Sequence, residues 1–332
     1  MKKSSVVCIG EALIDRIKNK SNEGYKDFLG GAPANVACAL RKLKIDSIFI
    51  GRLGSDYCGK KFISQFNELE VNLDFLQLDN DLSTRVVNVD RDQFGDRFFS
   101  GFEAISSGGF ADEALSKKLI EKELPNLEKV FLKTKYLVTG TIVLSSPKSA
   151  ETIFFLLEQA NKFDVKIIID LNWREVFWDY SIFSSDITKT ARINCIKDFL
   201  NHAHVLKLAK EEATLFFGNT NPLLISQQML KRPDVIITDG KNPVAWNING
   251  LQGNTSIPDS QKIVDTTGAG DAFLAGLISQ LISSGNPSNE IDIKDCVKFA
   301  SVCGLLTCFG EGAIEQQPDY EKVNKFLGSL IS

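Results

Sequence analysis

The string Asp265-Thr266-Thr267-Gly268-Ala269-Gly270-Asp271 carries the strongest chemical signal in the chain. Its two glycines allow a tight turn in which successive backbone N–H groups converge on one point, a geometry that suits an anion. The run that follows, from Ala272 and Phe273 onward, has helical composition, so a positive helix end is expected to face the same point. A phosphoryl group held there would have its transition-state charge met by fixed donors. Asp271, at the helix start, either caps the helix or takes a proton from an attacking hydroxyl. Gly268-Ala269-Gly270-Asp271 alone is equally well explained as a glycine turn with an aspartate cap; the seven-residue string is far more specific.

A second glycine site is Gly30-Gly31-Ala32-Pro33-Ala34-Asn35. Pro33 suits the first turn of a following helix, and the glycines let a ligand approach the backbone closely. Asn35 offers both a donor and acceptors to a polyol. Standing by itself, this segment reads as an ordinary loop-to-helix entry. His202 and His204 are the chain's two histidines, and no third ligand lies near them in sequence, so no metal role is expected of the pair.

These residues must be positioned by an alternation of short apolar runs and longer helical ones. Strand-like runs fall at residues 6–10, 47–51, 136–139, 167–170, 204–207 and 235–238. Helical spacing falls at 34–44, 59–69, 147–163 and in a region ending near Leu200. This rhythm predicts βαβ units, hence an α/β fold with a mostly parallel sheet covered on both faces. Two segments break it. Residues 16–28 are polar and lack a helical stripe, while residues 84–90 and 97–102 read as two strands around a turn at 91–96. A hairpin inside an α/β chain is either a small lid that excludes water from a site or a surface ornament.

Composition narrows the ligands. The chain has 332 residues, 43% hydrophobic and 24% charged, with a formal charge of −4 from interspersed charges of both signs. Lys2 and Lys3 apart, no basic tract suits nucleic acid or an anionic membrane, so small molecules are the expected partners. The seven cysteines form no C-x-x-C pair and several sit in apolar runs, which points to buried reduced thiols rather than a disulfide framework or zinc site. No run is long enough to span a bilayer, and the apolar core near the N-terminus is too short for a signal peptide; a cytoplasmic protein is expected.

The two glycine motifs, in this order and at this separation, resemble the N- and C-terminal signatures of the ribokinase-like (PfkB) carbohydrate kinases. The resemblance runs from Gly10 to beyond Ala313, and within the family residues 8–15 and 30–38 look most like fructokinases. It implies a ribokinase-like three-layer fold, with a main α/β domain at 1–15, 29–83 and 103–332 and a small β lid at 16–28 and 84–102. It implies phosphorylation of a sugar hydroxyl by ATP, with Asp271 as base and the Gly268, Ala269 and Gly270 amides as anion hole. Asp15, Gly30, Gly31 and Asn35 would bind the sugar, joined by Asp170 and Arg174 from the segment Asp170-Leu171-Asn172-Trp173-Arg174. Lys207, Thr238, Gly240, Gly268, Gly270, Gly312 and Ala313 would contact ATP. Glu212 would hold Mg²⁺ through water, and Asp265 and Thr267 would lie beside a monovalent cation such as K⁺.

Two positions depart from the family pattern. Ala209 stands where the family often has Asn or Ser, and Pro243 where it usually has a second glycine. Neither touches the base or the anion hole, but they bear on metal and nucleotide contacts. Fructose is the favoured acceptor; ribose, 2-keto-3-deoxygluconate and nucleosides are the alternatives within the family. A non-catalytic sugar-binding regulator is a further class, opposed by the intact Gly268–Asp271 loop. A dinucleotide-dependent oxidoreductase would need G-x-G-x-x-G after the first strand, where this chain has Gly10-Glu11-Ala12-Leu13-Ile14-Asp15. A homodimer through lid strands is compatible with the resemblance.

Overall fold

A strand apolar at every position must be covered on both faces, and a short βαβ crossover supplies that cover. The computed structural model, which describes residues 3–19, 24–91, 97–103, 109–179, 189–260, 262–285, 287 and 289–330, follows this rule. Its strands are β1 Ser5–Ile9, β2 Leu13–Lys18, β3 Tyr25–Gly30, β4 Ser47–Ile50, β5 Arg52–Gly54, β6 Gln77–Asp79 and β7 Val86–Arg91. They continue with β8 Arg97–Phe102, β9 Thr134–Thr139, β10 Lys166–Asp170, β11 Val205–Ala209, β12 Asp234–Asp239, β13 Asn242–Ile248 and β14 Leu251–Thr255.

Eight strands form the central sheet in the order β14-β13-β12-β11-β10-β9-β1-β4. Every pair from β12 to β4 is parallel; β13 and β14 add an antiparallel hairpin at one edge. Alternate residues enter two separate cores. Val6, Cys8, Val138, Ile168 and Val205 pack under the helices Ala32–Lys42, Ala269–Ser283 and Glu290–Thr307. Val7, Ile9, Leu137, Ile169 and Leu206 pack under Leu124–Phe131, Pro147–Lys162 and Lys189–Leu200. The result is the expected three-layer α/β fold. Among the described residues, no helix is long and apolar enough to cross a membrane.

A second sheet, in the order β3-β2-β7-β8, stands apart as a lid-like element. Its pairs are antiparallel except β2 with β7. Residues opposite in register share a face, so Asp15, Phe28, Val87 and Phe102 lie together. That face turns to the main domain: Phe102 meets Phe177 edge-on at 5.2 Å between centroids. On the opposite face Ile14 and Val86 are buried at the near end, and farther out Arg16 is held by both oxygens of Asp27 and by Glu103.

The sequence reading and the structure differ at two places. The small sheet begins at Leu13, ahead of residue 16, because the apolar pair Leu13-Ile14 is already buried in the strand. The edge hairpin β13–β14 was not anticipated: Val244, Trp246 and Ile248 do alternate, but Pro243 at the start of β13 and the polar Gln252-Gly253-Asn254 run of β14 obscure it. The expected turn at 91–96, apart from residue 91, lies outside the described residues, as do residues 20–23.

Under the Ala32–Lys42 layer, Phe66 is fully buried and meets Phe49 and Phe62 at 4.9 and 5.6 Å between centroids. Truncation would leave a ring-sized cavity, so Phe66→Ala is expected to cost roughly 3–5 kcal/mol of stability. A denaturant midpoint lowered at unchanged m-value would register it; a loss under about 1 kcal/mol would mean that this core collapses around the gap.

Candidate active site

Open α/β sheets bind ligands outside the carboxyl ends of their strands, and the polar residues of this sheet collect there. Asp170 ends β10, and Lys207 is its register partner on β11, so both side chains emerge on the face covered by Ala269–Ser283. The Lys207 ammonium donates to Asp170 Oδ1 and Oδ2 at 3.1 and 2.8 Å, with both residues buried. Asp170, and then Glu212 and Asp271, hold the lysine proton on against the desolvation that opposes it. The sequence reading named both residues but not their pairing.

Asp271 lies in the first turn of Ala269–Ser283. Gly268, just before that helix, takes φ 75°, a left-handed conformation, and a Cβ there would meet Ala313 Cβ at 2.5 Å. Only glycine accepts both demands. A Cβ on Gly270 would stand 2.9 Å from Lys207 Nζ, which places the ammonium at the mouth of the turn. Of the three expected anion-hole amides, Ala269 N–H is already donated to Thr266 O at 3.2 Å. First-turn N–H groups have no acceptor inside their own helix, and the dipole adds positive character at the same place.

Burial raises the Asp271 carboxyl to about 6, and the negative charge of Asp170 works in the same direction. Asn35, Lys207 and Arg174 oppose this. Asn35 does so by a hydrogen bond from Nδ2 to Asp271 Oδ2 at 2.7 Å. The two glycine motifs, 236 residues apart, therefore meet through one hydrogen bond. Gly30 ends β3, Gly31 caps the helix Ala32–Lys42, and the Asp15 carboxylate lies against Gly30 on the inward face of the small sheet. Arg174, exposed just beyond β10, completes the ring of charges around Asp271.

Beyond the Gly268 turn opens a cavity of about 760 Å³. Thr238 and Gly240 line it, with Val244, Ile257, Phe273 and Leu305 as apolar walls and Gly270 among the lining residues. Gly312 and Ala313 are placed elsewhere, behind Gly268 and against Phe28, outside the lining. Asp265 ties this loop together: Oδ1 accepts from Thr267 N–H and Oγ1–H at 3.1 and 2.7 Å, and Oδ2 from Gly312 N–H at 3.2 Å. Glu212 also acts as a clip, accepting Trp173 N–H and Ala209 N–H at 2.7 Å each and so fastening the segment after Asp170 to the helix Lys210–Phe217. His204 Nδ1 accepts Ile167 N–H at 3.0 Å.

The sequence reading passed over a buried charge cluster beside the site. Arg85, 2% exposed, pairs with Asp112 and Glu113 at 3.0 Å each and lies against the rings of Phe102, Phe110 and Phe177. The available signal was an arginine directly before the apolar pair Val86-Val87 that opens β7.

The site thus joins a buried carboxyl of raised pKa, a buried ammonium, a helix N-terminus and a cavity, a set suited to phosphoryl transfer. The sequence profile described as pfkB family carbohydrate kinase matches residues 3–319. The chain belongs to this family. It is a sugar kinase, in a family that uses ATP. A fructokinase of Salmonella typhimurium is 28% identical over 328 residues, covering 97% of this chain and 99% of that protein. Among solved structures, Xylella fastidiosa fructokinase with bound ATP matches with a TM-score of 0.86 at 24% identity, covering 100% of both chains. A double-mutant Vibrio cholerae O395 fructokinase with fructose, ADP and potassium ion bound matches at 0.82 and 26%, covering 98% of this chain and 99% of that one.

The carboxyl titration of Asp271 is expected near pH 6 when followed by carbon-13 NMR. Asp170→Asn removes a neighbouring negative charge and moves the midpoint down; Asn35→Ala removes a bond to the carboxylate and moves it up. Shifts of the opposite sign would contradict the electrostatic assignment.

Proposed function

We propose that this kinase transfers the γ-phosphoryl group of ATP to the primary hydroxyl of fructose that yields fructose 6-phosphate. Asp271 takes the hydroxyl proton as the oxygen attacks, and the proton resides on the carboxyl after transfer. The observation that carries this is the Asn35–Asp271 hydrogen bond, which seats a polyol-binding residue directly on a base of suitably raised pKa. Asp15, Gly30 and Gly31 hold the sugar from the small sheet and its adjoining turn, with Arg174 and Asp170 on the opposite side. The small sheet then acts as a lid that keeps water from competing for the phosphoryl group.

ATP fits the cavity beyond Gly268: its apolar walls suit a base, Thr238 and Gly240 its polar rim, and Gly270 with Lys207 the phosphate end. Among the described residues no trio of His, Cys, Asp or Glu forms a ready cation cage. Mg²⁺ would keep several waters and come in on the nucleotide's phosphates, offsetting their charge. Glu212 would meet it through water, since each of its oxygens accepts one N–H and keeps a lone pair. Asp265 and Thr267 would lie beside a monovalent cation; the potassium ion of the Vibrio cholerae structure supports that role. Fructose is preferred because residues 8–15 and 30–38 look most like fructokinases and because relatives over the whole length carry that name.

ADP release with ATP and Mg²⁺, measured across fructose, ribose, glucose, 2-keto-3-deoxygluconate and adenosine, tests the proposal. Fructose is expected to give the highest kcat/KM, with Asp271→Ala lowering it by ~10²–10⁴-fold. The base must be ionised, so kcat/KM should fall about tenfold per pH unit below pH 6. Preference for another acceptor would correct the substrate. Sugar binding without turnover on any acceptor would favour a non-catalytic regulator.

A further inference from the structure

Glu11 lies in the connection between β1 and β2, and its residue is 2% exposed. Burying a carboxyl this deeply is costly unless its oxygens are satisfied. Oε1 accepts Ala32 N–H at 3.1 Å. Oε2 is buried with no hydrogen-bond partner among the described residues. The acids that face it are Asp112, backed by Arg85, and Asp271, backed by Asp170, Lys207 and Arg174. Burial, and then these two acids, raise the Glu11 carboxyl to about 8, while its own backbone N–H and that of Ala32 oppose them.

Ala32 opens the helix Ala32–Lys42, whose capping residue Gly31 provides no side-chain acceptor. Pro33 has no N–H, and Asn35 N–H goes to Gly31 O at 2.9 Å. Glu11 therefore anchors the first turn from outside the helix. Three residues along, Asn35 Nδ2 reaches Asp271 at 2.7 Å. We infer that Glu11 is a positioning residue for the phosphoryl acceptor: through Ala32 N–H it fixes the turn against which the sugar lies, and through Asn35 it aims the Asp271 carboxylate. This rests on Asp271 being the base. For capping alone, one oxygen suffices; burial of the carboxyl keeps the group protonated at neutral pH, so no second negative charge stands beside Asp271 when the phosphoryl group arrives.

Glu11→Ala and Glu11→Gln, compared with the unaltered kinase, separate this from a purely structural role. Glu11→Ala removes the anchor and is expected to lower kcat/KM for fructose roughly 10–100-fold, with KM for ATP little changed. Calorimetric fructose binding without nucleotide should weaken in parallel. Glu11→Gln keeps an acceptor for Ala32 N–H and should restore most of both. The unaltered kinase should lose activity above about pH 8 as Glu11 ionises, and Glu11→Gln should lack that alkaline limb. Equal losses in both variants, a matching loss in ATP affinity, or an alkaline limb unchanged in Glu11→Gln would overturn the inference. If the unaltered kinase binds fructose without turning it over, the proposed reaction fails, and the fructose-binding comparison still decides the role of Glu11. Fructose binding unchanged in Glu11→Ala would then refute it.

Discussion

The active end of this kinase is organised around a buried positive charge. Lys207 is enclosed with Asp170 paired to it directly and with Asp271 and Glu212 close enough to stabilise its proton. Burying an ion pair costs several kcal/mol per ion in desolvation, so such a pair is weak as a device for stability alone. Its value here is positional. Adjacent parallel strands fix Asp170 and Lys207 in register, and the ammonium emerges beside Gly270, where only the absence of a Cβ leaves it room. Helix end and ammonium then present positive charge to one point without any rearrangement, which is what stabilising a phosphoryl transition state requires.

The same cluster holds the Asp271 carboxyl above its ordinary range beside so much positive charge. Lys207, Arg174 and the helix end would by themselves depress Asp271, leaving it too weak to take a proton from an alcohol. Burial and Asp170 offset them, and the balance falls above the ordinary aspartate range. The acceptor side is fixed from another direction. Glu11 accepts Ala32 N–H, and three residues on in the same helix Asn35 donates to Asp271. Where the small sheet joins the main domain, the Arg85 guanidinium is stacked among rings from both sides of the junction.

The sequence disclosed what depends on local chemistry. Glycine spacing at 268 and 270, an acid at 271 and the apolar runs of β1, β9 and β10 are visible without knowing what they touch. The small sheet was legible as a break in rhythm, but its first strand was read short because Asp15 and Arg16 mask the apolar alternation of Leu13–Lys18. What stayed hidden depends on residues far apart in the chain. Glu11 and Ala32 are 21 positions apart, Arg85 and Asp112 are 27, and Asp170 and Lys207 are 37. Glu212 was named for another role, and its two hydrogen bonds, to Trp173 and Ala209 N–H, were equally invisible, since one of them spans 39 positions.

The central claim is that Asp271 acts in the chemical step while the remaining residues assemble the acceptor and the phosphate. Rapid-quench single turnover of Asp271→Asn, begun from a preformed complex with fructose, ATP and Mg²⁺, addresses it most directly. Fructose affinity within a few-fold of the unaltered kinase, together with phosphoryl transfer slowed by ~10²-fold or more, is the predicted result. Transfer at an unaltered rate from the same complex would contradict it.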